Sequence, residues 1–284
     1  MKKIPISAII LTYNEEKNIE KCLKSIYEWV DEIFIVDSFS NDRTVEIAKK
    51  YTDKIYKHEF ITHSIQWNWA IKNLPIKNEW ILGLDADQEV SEELKIELYN
   101  VFRNLPLENF DGFYVRRKQI FMGKWIKYGG YQSKYLLKIF KKDKVFIDEK
   151  ELVDHHFYIK GKTKKLKGYI VENNLKENDI SFWLKKHIKY AEYMAKEELN
   201  KKISFLSPSL FGSPDRKVIF LKNIYCKLPL FIRPFIYFLY RYFIRFGFLD
   251  GVEGLIFHFL QGFWFRFIVD VKIWEIKKYG NTRD

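Results

Sequence analysis

The chain has 284 residues, of which 47% are hydrophobic and 18% aromatic. This length allows a sizeable buried core, and this composition excludes a disordered tail protein. The net charge of +12 is uneven, because residues 1–110 carry −5 and residues 111–284 carry +17. The two parts therefore suggest different partners. Cys22 and Cys226 are far apart in sequence, which excludes a disulfide framework and favours a reducing, cytosolic setting.

The first stretch, "MKKIPISAIILTYNEE", combines two lysines with an apolar run, as a signal peptide does. The run ends after about eight residues and lacks a small-residue cleavage site, so we interpret it as a first strand. Apolar runs and helical patterns then alternate to about residue 85, which predicts a mostly parallel sheet covered by helices. The predicted strands are 6–13, 32–37, 54–60 and 79–85, and the predicted helices are 15–29, 42–51 and 64–73.

Polar residues follow three of these strands, where open parallel sheets bind ligands. Two acids separated by one residue can hold a divalent cation against a diphosphate, because carboxylate and phosphate oxygens are ligands that Mg²⁺ and Mn²⁺ prefer. Asp-x-Asp alone is a weak pattern, but its place after a buried strand strengthens it. The strand-end residues are Thr12, Tyr13, Asn14 and Glu15, then Asp37, then Asp85, Ala86 and Asp87.

The remaining acids of this region have a simpler explanation. Ser91 is a predicted N-cap, and Glu92 and Glu93 favour the first turn of a helix over 91–103. The sequence contains neither GxxxxGK[ST] nor GxGxxG, which excludes the usual phosphate-loop and dinucleotide interpretations. From 111 to about 170 the pattern is β-rich, 178–202 predicts an amphipathic helix, and 206–215 predicts a break in the chain.

Two C-terminal stretches, 228–251 and 254–278, are strongly apolar but carry charged residues. Arg233, Arg241 and Arg245 fall on one helical stripe. Neither stretch offers the roughly 18 uncharged residues expected of a spanning helix. The pattern favours amphipathic helices in a membrane interface, where these arginines would reach lipid phosphates. A buried helical hairpin is the alternative.

Four ordered motifs resemble glycosyltransferase family 2, and they are "SAIILTYNEEKNIEKCLKSI", "VDSFSNDRTVEIAKKY", "QWNWAI" and "WILGLDADQEVSEEL". The resemblance implies a GT-A fold and an inverting, nucleotide-sugar-dependent reaction. "VDHHFYIKGKTKKLKG" and the C-terminal aromatic stretches resemble a bacterial subgroup that builds lipopolysaccharide core or lipid-linked surface polysaccharide. We therefore expect a GT-A domain at 1–205, with a nucleotide-sugar half at about 1–110 and an acceptor half at about 111–205. Residues 206–284 would form the membrane-interface segment.

The resemblance also implies residue roles. Asp87 would bind Mg²⁺ or Mn²⁺, and His156 would be a further metal ligand or a supporting partner. The donor, expected to be a UDP-sugar, would contact Thr12, Tyr13, Asn14, Glu15, Asp37, Gln66, Asn68, Asp85 and Ala86.

Inversion requires a base that takes the proton of the acceptor hydroxyl. The stretch "ELVDHHF" at 151–157 joins acids to histidines after the predicted sheet. Related sequences often have Glu or Gln where His155 stands, so we do not expect His155 to be the base. We predict Asp154 as the base, with Glu151 as the reserve. The alternative is a surface Asp–His pair without a catalytic role.

These expectations combine into a sugar transfer to a lipid-linked glycan at the cytoplasmic face of a bacterial inner membrane, with an anionic membrane surface as partner. A polyprenyl-monophosphate sugar synthase and a non-catalytic membrane adaptor on the same fold are the alternatives. A nucleic-acid partner is not expected, because the basic residues interleave with long apolar runs. The C-terminal helices could also dock on a second copy of the chain.

Overall fold

The computed structural model describes residues 3–153, 155–200 and 206–280. The predicted base, Asp154, lies outside the described residues. The chain forms two compact units. Unit 1 comprises Met1–Ile120 and Tyr135–Leu175, and unit 2 comprises Phe121–Lys134 and Lys176–Asp284. The domain boundary expected at 205 and 206 stays a prediction.

The first half of unit 1 is a parallel sheet in the order β3-β2-β1-β4. All four predicted strands and all three predicted helices are confirmed. The strands are β1 (Ile4–Thr12), β2 (Val30–Asp37), β3 (Ile55–Lys57) and β4 (Trp80–Asp85), and the helices are α1 (Ile19–Lys24), α2 (Thr44–Ala48) and α3 (His63–Asn73). Strands β1 and β2 are buried along almost their whole length, which explains their continuous apolar sequence, because strands covered on both faces need no alternation.

The sheet continues through antiparallel and parallel pairings in the order β4-β8-β6-β9-β5. Its strands are β5 (Gln88–Val90), β6 (Gly112–Phe121), β8 (Tyr135–Lys141) and β9 (Thr163–Glu172). Strand β9 is parallel to β6, whereas β8 is antiparallel to both β4 and β6. Helix α4 (Glu92–Asn104) begins after Ser91, whose hydroxyl accepts a hydrogen bond from Leu94 N at 3.2 Å, so the predicted N-cap is confirmed. The predicted α/β class is confirmed as well.

Strand register brings the polar strand ends together. Thr12 is paired with Asp37, and Leu11 is paired with Asp85. Alternate side chains of β1 enter the two opposite cores, with Ile10 in one and Ile9 in the other, as the period of two requires. The carboxyl ends of β1, β2 and β4 therefore meet at one edge of the sheet, where a ligand site was predicted.

Unit 2 is mainly helical. It contains a short strand, β7 (Lys124–Ile126), followed along the chain by α5 (Ile180–Leu199), α6 (Pro214–Lys227), α7 (Arg233–Leu239), α8 (Gly251–His258) and α9 (Phe265–Tyr279). Short π-helical segments follow α7 at Tyr240–Ile244 and α8 at Phe259–Trp264. Single-turn 3₁₀ segments occur in both units of the chain, and they lie at Leu107–Asn109, Lys142–Lys144, Leu175–Asn178 and Gly247–Asp250.

The described helix Gly247–Tyr279 is, by length and composition, apolar enough to cross a membrane. Its mean hydropathy reaches 1.3 over an 18-residue window that holds at most two charged residues. Glu253, Arg266 and Asp270 interrupt this helix, so it offers no run of 18 uncharged residues, and the predicted membrane-interface role stays a prediction. The buried core helix of a soluble protein passes the same test.

Two of the three C-terminal arginines are buried in unit 2. Arg233 lies 2.5 Å from Asp270 Oδ1 and 2.8 Å from Glu198 Oε2. Arg241 donates to the carbonyl oxygen of Gly129 at 3.3 Å. Buried guanidinium groups need such partners, since an unpaired buried charge is very costly. We therefore revise the expected role of Arg233 and Arg241 from lipid contact to internal pairing, and only Arg245 is exposed.

A close approach of strand to helix gives a stability prediction. Gly168 of β9 leaves no room for a side chain, because a Cβ there would lie 2.4 Å from Leu94 Cα on α4. We expect Gly168→Ala to lower the free energy of unfolding by about 1–3 kcal/mol, the usual cost of overpacking, as measured by urea unfolding. Lys167→Ala is the matched control, because its side chain is exposed. Equal unfolding midpoints for both variants would contradict this packing.

Candidate active site

Asp37, at the end of β2, organises the loop that follows it. Its carboxylate is fully buried and accepts hydrogen bonds from Thr12 Oγ1 at 3.0 Å and from Ser40 Oγ at 2.5 Å. The backbone N–H of Ser40 donates to the second oxygen at 3.0 Å. Thr12 and Asp37 are thus brought together as predicted, and their main effect is to fix the turn after β2.

The loop after β1 is bound to the loop after β2. Asn14 has a left-handed backbone with φ of 53°, and its side-chain oxygen accepts from Asn41 N at 2.9 Å. Glu15 N donates to Thr44 Oγ1 at 2.7 Å. Tyr13 and Phe39, which follow the paired ends of β1 and β2, are each 56% exposed. Two open aromatic rings beside a rigid frame can stack on a planar base.

Helix α3 supplies two predicted donor residues with different surroundings. Gln66 is buried, with Oε1 2.6 Å from His58 Nδ1 and Nε2 donating to Ser38 Oγ at 3.0 Å. Gln66 therefore contacts Ser38, the residue directly after Asp37 at the end of β2. Asn68 instead donates to the carbonyl oxygen of Ile147 at 3.3 Å. The structure joins Gln66, but not Asn68, to the loop after β2.

Asp85, at the end of β4, lies in a group with His63 and His155. Their ligand atoms all lie within 4.8 Å of one another. Lys138 of β8 is buried, and its Nζ lies 3.3 Å from Asp85 Oδ2. We call His63, Asp85 and His155 the Asp85 group. Within the described ranges it is the one set of three His, Cys, Asp or Glu whose donor atoms are this close.

The charges of the Asp85 group favour cation binding. Burial alone would raise the pKa of Asp85, but Lys138 and the neighbouring imidazoles outweigh it and hold that pKa well below its usual range. Burial lowers the pKa of His155 to about 3, against the opposing charge of Asp85. The carboxylate is thus charged at neutral pH, and the His155 imidazole is neutral with a lone pair available for a metal.

The Asp85 group fits a divalent cation. Imidazole and carboxylate both bind first-row divalent metals, and protein oxygen and nitrogen ligands lie about 2.0–2.6 Å from such ions. Three donor atoms within 4.8 Å of one another can therefore share one ion. Mg²⁺ or Mn²⁺, the predicted cofactor, would be held here by Asp85, His63 and His155.

The residues predicted to bind the metal lie elsewhere in unit 1. Asp87 Oδ2 accepts a hydrogen bond from Asn174 Nδ2 at 3.0 Å. His156 Nδ1 lies 3.2 Å from Glu151 Oε1. Neither belongs to the Asp85 group, so a metal role for Asp87 and His156 stays a prediction beside the alternative that the structure offers.

Glu151 stabilises its own loop. Its carboxylate accepts from Tyr158 Oη at 2.5 Å and from His156 N at 2.9 Å, and its carbonyl oxygen accepts from Ser64 Oγ at 3.0 Å. These contacts give Glu151 a role in holding the shape of its loop that requires no proton transfer. Ala86 is buried in the core beside β4, where it spaces Asp85 from Asp87.

Sequence reasoning missed three members of this site. His63 was placed just before a predicted helix, His155 was treated as a variable position, and Lys138 was not singled out. The strand "YLLKIFK" carried a signal for Lys138, because a lysine within an apolar strand has to be paired when buried. No comparable pattern marked His63, since its partners are 22 and 92 positions away in the sequence.

The parallel strands, their polar carboxyl ends and the Asp85 group define an α/β protein with a candidate ligand and metal-ion site at one edge of its sheet. The sequence profile of Glycosyl transferase family 2 matches residues 7–168, more than half of the chain. The chain belongs to this family, and the family resemblance seen in the sequence is confirmed.

Two similar proteins each match over less than half of the chain. An uncharacterized glycosyltransferase of Rickettsia bellii is 34% identical over 111 residues, which are 39% of this chain and 37% of that protein. The lipopolysaccharide core biosynthesis glycosyltransferase LpsC of Rhizobium meliloti is 31% identical over 96 residues, 33% of this chain and 35% of LpsC. The chain thus spans less than two fifths of the length of these relatives. A crystal structure of S. aureus TarS 1–349 aligns over 99% of this chain and 93% of that chain, with 16% identity and a TM-score of 0.42.

Substitutions of the adjacent residues His155 and His156 distinguish the two candidate metal sites, the Asp85 group and the predicted site at Asp87 and His156. We expect His155→Ala to weaken Mn²⁺ binding at least tenfold, because even groups that only orient a metal ligand contribute about 10–100-fold to affinity. His156→Ala should bind Mn²⁺ as the wild type does, since its imidazole faces Glu151. Titration of Mn²⁺ followed by electron paramagnetic resonance measures both. A larger loss in His156→Ala would favour the assignment made from the sequence.

Proposed function

We propose that this glycosyltransferase moves a sugar, with inversion, from a UDP-sugar to a lipid-linked glycan in surface polysaccharide or lipopolysaccharide-core synthesis. The observation that carries the proposal is the Asp85 group at the carboxyl edge of a parallel sheet in a family 2 chain. The similarity to LpsC, named for lipopolysaccharide core biosynthesis, supports the class of acceptor.

The donor would bind along the edge formed by β1, β2 and β4. The exposed rings of Tyr13 and Phe39 would stack on the uracil. Thr12, Asn14 and Glu15 hold the two loops in place through the hydrogen bonds to the Asp37 turn and the Thr44 hydroxyl. A preformed frame of this kind reduces the entropy lost on binding.

A divalent cation bound by the Asp85 group would stabilise the negative charge of the departing diphosphate. The protein residues contribute the rest. Asp85 supplies the negative charge, His63 and His155 supply nitrogen donors, and Lys138 adds a cation within the same pocket. This supports the predicted Mg²⁺ or Mn²⁺.

Asp154 is the proposed base for the acceptor hydroxyl, and Glu151 is the reserve. The contacts of Glu151 with Tyr158 and His156 favour Asp154, because a base has to reach the acceptor. A polyprenyl-monophosphate synthase remains the second candidate reaction, since a lipid phosphate acceptor requires no such base.

The two acids can be separated experimentally. We expect Asp154→Asn to reduce sugar transfer by a factor of about 10²–10⁴, the usual contribution of a general base, with UDP affinity unchanged. Glu151→Gln should lower the melting temperature, because the Glu151 carboxylate contacts His156 N, His156 Nδ1 and Tyr158 Oη. This variant should keep more activity than Asp154→Asn. Transfer is measured with radiolabelled UDP-sugar on lipid-linked glycan acceptors. Wild-type rates for Asp154→Asn would contradict the base and favour the monophosphate synthase.

Unit 2 is proposed to bind an anionic membrane surface at the cytoplasmic face of the inner membrane. Large apolar side chains are exposed around α7 and α8, and exposed apolar patches beyond a few hundred Å² mark interaction sites. The two segments of unit 2, 121–134 and 176–284, hold 22 Lys+Arg and 11 Asp+Glu, a net charge of +11, which repels a second copy and attracts anionic lipid. The exposed residues are Ile232, Phe235, Ile236, Leu239, Phe243, Ile244, Phe246, Leu249, Val252 and Leu255.

Vesicle sedimentation tests this surface. Phe243 and Ile244 are 52% and 66% exposed, and we expect their double replacement by Glu to release the protein from vesicles that contain phosphatidylglycerol. Arg245→Glu should weaken binding less, by about 1 kcal/mol per basic residue removed near the surface. Ile96→Glu on α4 is the control, because Ile96 is 51% exposed and lies in unit 1. Unchanged sedimentation of the double variant would contradict the proposal, as would its conversion from dimer to monomer without loss of vesicle binding.

A further inference from the structure

Strand β8 buries two lysines that each pair with one carboxylate at the same distance. Lys138 and Lys141 are 4% and 8% exposed. Lys138 Nζ lies 3.3 Å from Asp85 Oδ2, and Lys141 Nζ lies 3.3 Å from Glu79 Oε1. Burying an ammonium group is costly, and a carboxylate partner offsets that cost. Both lysines are thus accounted for as buried ion pairs, but their partners differ.

The partner of Lys141 is a surface residue, since the Glu79 side chain is largely exposed. The partner of Lys138 is the carboxylate of Asp85. The ligand atoms of Asp85, His63 and His155 all lie within 4.8 Å of one another. Lys138 and a divalent cation would therefore compete for one negative charge. Like charges this close repel each other strongly in a partly buried site.

The charge of the pocket changes when a nucleoside diphosphate binds. With Lys138, a divalent cation and one carboxylate, the pocket alone would hold excess positive charge. A diphosphate supplies the missing negative charge, and a lysine ammonium on its flexible stem can turn toward phosphate oxygens. Metal and nucleotide are then each favoured by the presence of the other.

We propose that Lys138 stays paired with the Asp85 carboxylate until a nucleoside diphosphate binds. Lys138 then pairs with the diphosphate instead, so that the divalent cation can bind Asp85. Lys138 thereby makes metal binding depend on the nucleotide, and by linkage makes nucleotide binding depend on the metal to the same degree. This inference rests on the proposed nucleotide-sugar site and assigns to Lys138 the coupling of its two ligands.

The experiment compares Lys138→Met with Lys141→Met in the full chain. The dissociation constant of Mn²⁺ is measured by electron paramagnetic resonance, with and without UDP. In the wild type, UDP should tighten Mn²⁺ binding by about 5–150-fold, the usual range of coupling between two sites. In Lys138→Met, Mn²⁺ alone should bind about tenfold more tightly because the competing cation is gone, and UDP should tighten it far less. Lys141→Met should match the wild type, and Lys138→Arg should retain the coupling.

Each result decides the inference. Unchanged or weaker binding of Mn²⁺ alone in Lys138→Met, with wild-type coupling by UDP, overturns the role of Lys138 and leaves the proposed function intact. A wild type that binds neither Mn²⁺ nor UDP overturns both. If Lys138→Met does not fold, as judged by circular dichroism, Lys138→Gln provides the same test, because it keeps a hydrogen-bond donor for Asp85 but removes the charge.

Discussion

The register of β1 with its two parallel neighbours is the constraint on which the site depends. Thr12 is paired with Asp37 and Leu11 with Asp85, so the polar residues Asp37 and Asp85, 25 and 73 positions after Thr12 in the sequence, meet it at one edge. A shift of one residue would turn these side chains to the opposite face of the sheet. The same shift would move Ile9 and Ile10 of β1 from one core into the other, so the packing of the two cores and the position of the ligand site depend on one register.

At this edge, the metal and diphosphate sites proposed above both depend on the neighbours of Asp85. One carboxylate faces a buried lysine and two imidazoles, so its charge can serve an internal ion pair or an external cation. In the proposed function, this carboxylate would let the chain bind a divalent cation and a diphosphate together, because the single negative charge of Asp85 does not neutralise both Lys138 and the cation. Unit 2 uses buried charge differently, since Arg233 is already paired with Asp270 and Glu198.

The sequence was sufficient for the strands, the crossover helices and the Ser91 cap, because those depend on local periodicity and on one side chain bonding to its own helix. It was less informative wherever partners are distant in the chain. The arginine stripe at 233, 241 and 245 looked amphipathic, yet Arg233 and Arg241 are buried by residues from other segments. Asp87 was favoured over Asp85 by motif alone, and only the fold shows which of the two acids has histidines beside it.

The most direct measurement is the position of Mn²⁺ in a crystal of the protein grown with UDP, located by anomalous scattering. A cation bound by the Asp85 carboxylate and by ring nitrogens of His63 and His155, at about 2.0–2.6 Å from each, is the result that this account predicts. A cation on Asp87 and His156, with the ion pair between Lys138 and Asp85 intact, would contradict it.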